Sequence, residues 1–227
     1  MNNVKIGFLA LALGCCLNRG ALSLAAAVDK QNISGDTALM RAALHKQVGL
    51  IKRLLRAHAH PDIQNACGQT ALMLTSLGVI DPRRIKAVQL LLKANANPLL
   101  HDHDGQTALM HAAWGGYVDT MQLLLEKMRI YCGALLADEW LDCPLDVINV
   151  VVVPFLDFVN DQDNNGKTAL MHAAEGGHVE AVRFLLEQGA DPAIKDNANR
   201  TARDMVNVSQ RMLAHTKEAV LALLPLK

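Results

Sequence analysis

Four copies of Thr-Ala-Leu-Met, at 37–40, 70–73, 107–110 and 168–171, constrain this fold more than any other feature. A degraded fifth copy follows at Thr201-Ala202-Arg203-Asp204. The threonines are spaced 33, 37, 61 and 33 residues apart. A period near 33 marks a stack of small units, none of which can bury its apolar side alone. The long interval divides at Cys143-Pro144-Leu145-Asp146, which resembles another start, so the spacing predicts about six units with one shortened.

Each unit repeats the same local chemistry. An Asn or Asp stands five residues before the Thr, and a turn residue two before it: Asn32/Gly35/Thr37, Asn65/Gly68/Thr70, Asp102/Gly105/Thr107, Asp163/Gly166/Thr168 and Asp196/Asn199/Thr201. Gly and Asn accept positive φ, so a tight turn is expected, and the Thr side chain can cap the helix that follows. Ala-Leu-Met and the following Ala-Ala give that helix a narrow apolar face, and Gly115-Gly116 and Gly176-Gly177 end it. A second helix is read from Ile51, Leu54 and Leu55; Val88, Leu91 and Leu92; Met121, Leu124 and Leu125; and Val182, Leu185 and Leu186. It stops at His58, Asn95 and Gly189, ahead of Pro61, Pro98 and Pro192. The fold class is therefore an all-α solenoid of helix-turn-helix units, closed by a helix over 209–224 with Met212, Leu213, Val220 and Leu224 facing inward.

The run from Asp163 through Gly166-Lys167-Thr168-Ala169-Leu170-Met171-His172-Ala173-Ala174 to Gly176-Gly177-His178, closing with Gly189-Ala190-Asp191-Pro192, resembles an ankyrin repeat almost throughout. The resemblance spans roughly residues 30–215. It implies a non-enzymatic ankyrin-repeat solenoid whose turn tips and first helices line a concave face that binds another protein. Two family residues are replaced: Ala stands for the Pro after the Thr, and Met40, Met73, Met110 and Met171 stand for the His two positions later. Apolar packing is expected there in place of an inter-repeat hydrogen bond. On this frame the tips are Ile33/Ser34, Ala66/Cys67, His103/Asp104 and Asn164/Asn165. The variable first-helix positions are Arg41, Leu74, His111 and His172, then Leu44, Leu77, Trp114 and Glu175. The expected protein-binding residues are Arg41, Leu74, His103, Asp104, His111, Trp114, His172 and Glu175. Trp114 is the anchor because aromatic side chains dominate interface energetics; its alternative role is packing against the irregular segment. His111 and His172 are either pH-sensitive contacts or solvated surface groups.

Lys5 precedes an apolar run over 6–17, and no Asp or Glu appears before Asp29. Twelve residues are too few to span a bilayer, and small residues at 23, 25 and 27 suit a signal peptidase. Residues 1–27 are expected to be a signal peptide cut after one of Ala25 to Ala27, leaving 28–227 as an exported, periplasmic ankyrin-repeat domain. The alternatives are a secreted form, a membrane anchor carrying Arg19, or a lipid anchor at Cys15, where Leu13-Gly14-Cys15 resembles a lipoprotein box. Residues 128–160 break the pattern, with a β-branched run at 147–153. They read as a degenerate repeat inside the stack or as a projecting loop.

Lys and Arg number 22, as do Asp and Glu, and loss of Lys5 and Arg19 leaves the mature chain slightly acidic. Binding of nucleic acid by bulk charge is excluded. Cys67, Cys132 and Cys143 remain, an odd number; Cys132 and Cys143 either pair or stay as small hydrophobes. Gly166-Lys167-Thr168 lacks the earlier Gly of a phosphate loop, since Asp161 occupies that position. No catalytic signature appears, so neither a cofactor nor enzymatic activity is expected. The alternative function is a metal-handling or oxidative-stress accessory role using His101 and His103 with Asp102 or Asp104. The leading one is a protein-binding module, one form of which inhibits or protects an exported enzyme.

Overall fold

The computed structural model describes residues 28–77, 81–137, 155–208 and 213–224. Helices alternate with turns, and no strand occurs among the described residues. The helices are α1 (Ala38–Leu44), α2 (Val48–Arg56), α3 (Ala71–Thr75), α4 (Arg83–Lys93), α5 (Ala108–Trp114), α6 (Val118–Ala137), α7 (Ala169–Gly176), α8 (Val179–Glu187), α9 (Ala202–Val208) and α10 (Ala214–Leu223). First helices stack in the order α1, α3, α5, α7, α9, and second helices in the order α2, α4, α6, α8, α10. The chain is thus the all-α solenoid that its repeats predict.

Each first helix starts where its Thr turns the chain. Thr37, Thr70, Thr107 and Thr168 are extended, and each side chain accepts the backbone N–H of the Met three residues on, at 3.2 to 3.4 Å. In the first two repeats the Met Sδ accepts the Thr N–H in return, at 3.4 Å. The methionines are buried as expected, but the thioether also acts as a weak acceptor there. The Ala pairs at 42–43, 112–113 and 173–174 are at most 1% exposed. Without longer side chains, neighbouring first helices come close enough to bury one another's Leu and Met.

The turns lock the units together. Gly35, Gly68, Gly105, Gly166 and Asn199 all take positive φ, as the sequence requires. The tip backbone donates from each unit to the one before it: Ala66 to Ser34, His103 to Cys67, Asn164 to Asp104 and Asn197 to Asn165, at 2.9 to 3.0 Å. Gln31, Gln64 and Gln162 add side-chain bridges to the carbonyls of Gln64, His101 and Lys195 in the following unit.

This ladder also fixes which described units are neighbours. Asn164 bonds directly to the tip at Asp104, and α5 packs directly on α7. Among the described residues no first helix is stacked between them, and five first helices form the row. The 61-residue interval arises from the segment between α5 and α7. There α6 continues past Met128, where regularity was expected to end, as far as Ala137, and 155–159 form a helical turn. Phe158 and Val159 of that turn are buried, and Asn160 Oδ1 accepts from Asp191 N at 2.7 Å. The proposed start at Cys143, the run at 147–153, the Cys132 and Cys143 side chains, residues 1–27 with Cys15, and Met212 lie outside the described residues. The closing helix begins only at Ala214. Val220 and Leu224 are buried as expected, but Leu213 is 66% exposed because it is the extended residue before the helix and leaves its apolar face.

Two glycine substitutions separate these roles. Gly105 has φ +77°, and a Cβ there would lie 2.7 Å from Asn164 N. Gly105→Ala is expected to lower stability by about 2 kcal/mol or more, from left-handed strain plus collision with the next tip. Gly49, in α2, has nothing within 4 Å of its Cβ position, so Gly49→Ala is expected to gain roughly 0.5–1 kcal/mol. Urea unfolding midpoints check both; equal effects would refute the tip-to-tip contact as the distinguishing factor.

Candidate protein-binding face

The first helices present one row of side chains at the same position in successive units: Leu44, Leu77, Trp114 and Glu175. Leu44 is 38% and Trp114 47% exposed, while Leu77 is half-buried. The row is apolar across three repeats and turns polar at Glu175, whose Oε2 accepts from Lys167 Nζ at 2.7 Å. Trp114 is held in place. Its ring meets that of His172 edge-on at 6.1 Å, and its carbonyl accepts from His178 Nε2 at 2.9 Å. Arg41, His103 and Asp104 are exposed, as expected of contact residues, and Ile33 projects fully from the first tip.

Three expected contact residues lie elsewhere. Leu74 is 5%, His111 8% and His172 6% exposed. In the second, third and fourth units the fourth residue of the first helix faces the stack, so these three side chains belong to the interior, whereas Arg41 at the same position of the first unit stays exposed. The histidines are neither solvated nor available as contacts. His111 Nε2 donates to Asp102 Oδ2 at 2.9 Å, and His172 Nε2 to Asp163 Oδ2 at 3.0 Å.

The tip explains why. In every unit the Asx Oδ1 accepts two backbone N–H groups of its own turn; Asp102 takes those of Asp104 and Gln106, and Asp163 those of Asn165 and Lys167. A carboxylate then has a second oxygen to satisfy, which His111, His172 or Arg200 does by donating. An amide does not, and Asn65 instead donates from Nδ2 to Asp36 Oδ1. The signal was in the sequence: Asp102 and Asp163 are followed nine residues later by His111 and His172, Asp196 has Met205 there and is served by Arg200 instead, and Asn32 and Asn65 are matched by Arg41 and Leu74. The repeats serve as their own alignment.

These burials move proton affinities. Desolvation pushes the His111 imidazole below its usual 6.5, against the opposing hydrogen bond to Asp102. Burial raises Asp163, but hydrogen bonds from His172 and from the Lys167 and Asn165 backbone outweigh it and hold the carboxyl below its usual value. The same balance, with Arg200 as donor, holds Asp196 down.

His101 Nε2 lies 2.6 Å from Asp161 Oδ2, joining the third unit to the approach to α7. Among the described residues no group of three His, Cys, Asp or Glu side chains is placed to hold a metal ion. No helix among them is long and apolar enough to cross a membrane.

Comparison with known proteins places this geometry. The family model described as ankyrin repeats (3 copies) matches residues 39–134 and 145–205. The NAD-capped RNA hydrolase NUDT12 of Homo sapiens is 49% identical over 47 residues, 21% of this chain and 10% of that protein, as is its counterpart in Pongo abelii. The ankyrin repeat and KH domain-containing protein mask-1 of Caenorhabditis elegans is 27% identical over 186 residues, 78% of this chain and 7% of that protein. The chain spans a tenth or less of the length of these curated relatives.

The interior dyads imply a stepped acid response. With His111 depressed in the folded state, the unfolded chain protonates first, so stability holds above about pH 6.5 and falls as pH drops below it. The depressed Asp163 and Asp196 add a further loss below the ordinary carboxylate range, near 3.8. Thermal melting across pH is expected to show the upper step in the native chain and its loss in His111→Gln, with the acid limb retained. An unchanged upper step in the variant would assign it to another group.

Proposed function

Since the chain belongs to the ankyrin-repeat family, a protein–protein interaction module, we propose that it grips its partner on the first-helix face with Trp114 as anchor. The observation that carries this reading is a half-exposed indole in line with Leu44 and Leu77, on a face with no further helix over it among the described residues. Trp114 is oriented by His172 and His178 before any partner arrives. Stacking likewise fixes the tips at His103 and Asp104, and Arg41 flanks the row. Little ordering entropy is then lost on binding. Covering the remaining exposed half of the indole, about 100 Å², is worth about 2–3 kcal/mol.

In its concrete form the partner is an exported enzyme, which this chain inhibits or protects by covering it, without chemistry of its own. Affinity capture from the native envelope is expected to enrich one prominent protein. Trp114→Ala should weaken that capture by about 30-fold or more, and Arg41→Ala by less, with unchanged circular dichroism. Undiminished capture by a folded Trp114→Ala variant would move the interface off this face.

The periplasmic setting rests on Lys5, the apolar run over 6–17 and the small residues at 23–27. Intact-mass measurement of the native protein should find a new N-terminus after one of Ala25, Ala26 or Ala27. A retained Met1, or an acylated Cys15 as the first residue, would replace the soluble periplasmic reading with an anchored one.

A further inference from the structure

The faces of this solenoid differ in charge. Helix α2 carries Lys52, Arg53 and Arg56, helix α4 carries Lys86 and Lys93, and all five are exposed. Neither helix contains an Asp or Glu. Among the described residues none of the five has an ion pair or a side-chain hydrogen bond. At 100° per residue Lys52, Arg53 and Arg56 fall on the side of α2 opposite buried Ile51, and Lys86 and Lys93 on the side of α4 opposite buried Ala87, Val88 and Leu91. As α2 packs against α4, the two outward faces form one surface. Of the carboxylates on these two units, Asp81 is clasped by Arg83 and Asp62 accepts from Asn97 N, while Glu126 of α6 lines the same groove as Lys93. The patch ends at α6, where Asp119 and Glu126 are exposed.

We infer that this second-helix face of the first two repeats docks onto an anionic phospholipid bilayer. Its chemistry suits a fluid sheet of headgroups. The cations are long, flexible and unpaired, with exposed Leu50 beside them. Neither α2 nor α4 contains the aromatic side chains that anchor protein interfaces or stack nucleic-acid bases. On the reading of residues 1–27 as an export signal, the start of the chain meets a bilayer, and these are the repeats nearest to it in sequence. Near an anionic surface each Lys or Arg strengthens attachment by about fivefold. This face is separate from the Trp114 row, so either assignment can fail without the other.

The test is co-sedimentation of the full chain with vesicles of phosphatidylcholine alone and of phosphatidylcholine mixed with phosphatidylglycerol, at low and high salt. The expected result is strong binding to the mixed vesicles, weakened by salt. The triple variant Lys52→Gln/Arg53→Gln/Arg56→Gln should lose roughly a hundredfold of that affinity, and Lys86→Gln/Lys93→Gln roughly twentyfold. Arg183→Gln, on α8, should change little. The N-terminal run acts on both vesicle types, so the difference between them reads the patch. Equal binding to both compositions, or a folded triple variant that binds as the native chain does, overturns the proposal. So does patch-dependent binding to polyglutamate or a duplex oligonucleotide with no preference for the anionic vesicles, which would assign the surface to a different polyanion.

Discussion

A helix of five to nine residues is not stable alone in water, because nucleation costs more than so few hydrogen bonds return. Seven of the ten helices named above are of that length or shorter by the same measure. They persist because each buries an apolar face against its neighbours, Leu and Met in most first helices and Ile, Val or Leu in the second helices, and because alanines let those neighbours approach. Everything else depends on this mutual burial. The tip hydrogen bonds set the register between units, and the left-handed glycines let the tips come within reach of one another.

That register determines what faces the interior. The carboxylate at three of the five tips has one oxygen more than its turn can satisfy, and a first-helix side chain nine residues on, or Arg200 next to the turn, supplies the donor. His172 then does two things: it completes its own tip and supports the edge of Trp114 in the preceding unit. A histidine that looks like a contact residue from its position in the repeat instead holds the contact residue in place.

The two broad faces of the stack consequently differ in kind. The first-helix face is narrow and apolar, with one half-exposed indole and flanking polar tips. The second-helix face is charged, basic over the first two units and mixed from α6 onward. Rigid stacking keeps both arrays in fixed relation, so one chain can present a shape-specific surface and a diffuse electrostatic one.

The helices, caps, left-handed turns and all-α stack were legible in the residues, because they follow from short-range chemistry repeated five times: a Thr that caps, a Gly or Asn that accepts positive φ, an apolar period of three and four. The coincidence of Asp with a His nine residues later was also there, though only the structure shows it to be a buried pair. What tertiary structure alone decided was adjacency. Sixty-one residues separate Thr107 from Thr168, yet Asn164 meets the tip at Asp104 and α5 meets α7, which no local pattern encodes. Burial of Leu74, His111 and His172 was decided the same way, since the side of a short helix that meets water depends on the angle at which the next helix packs.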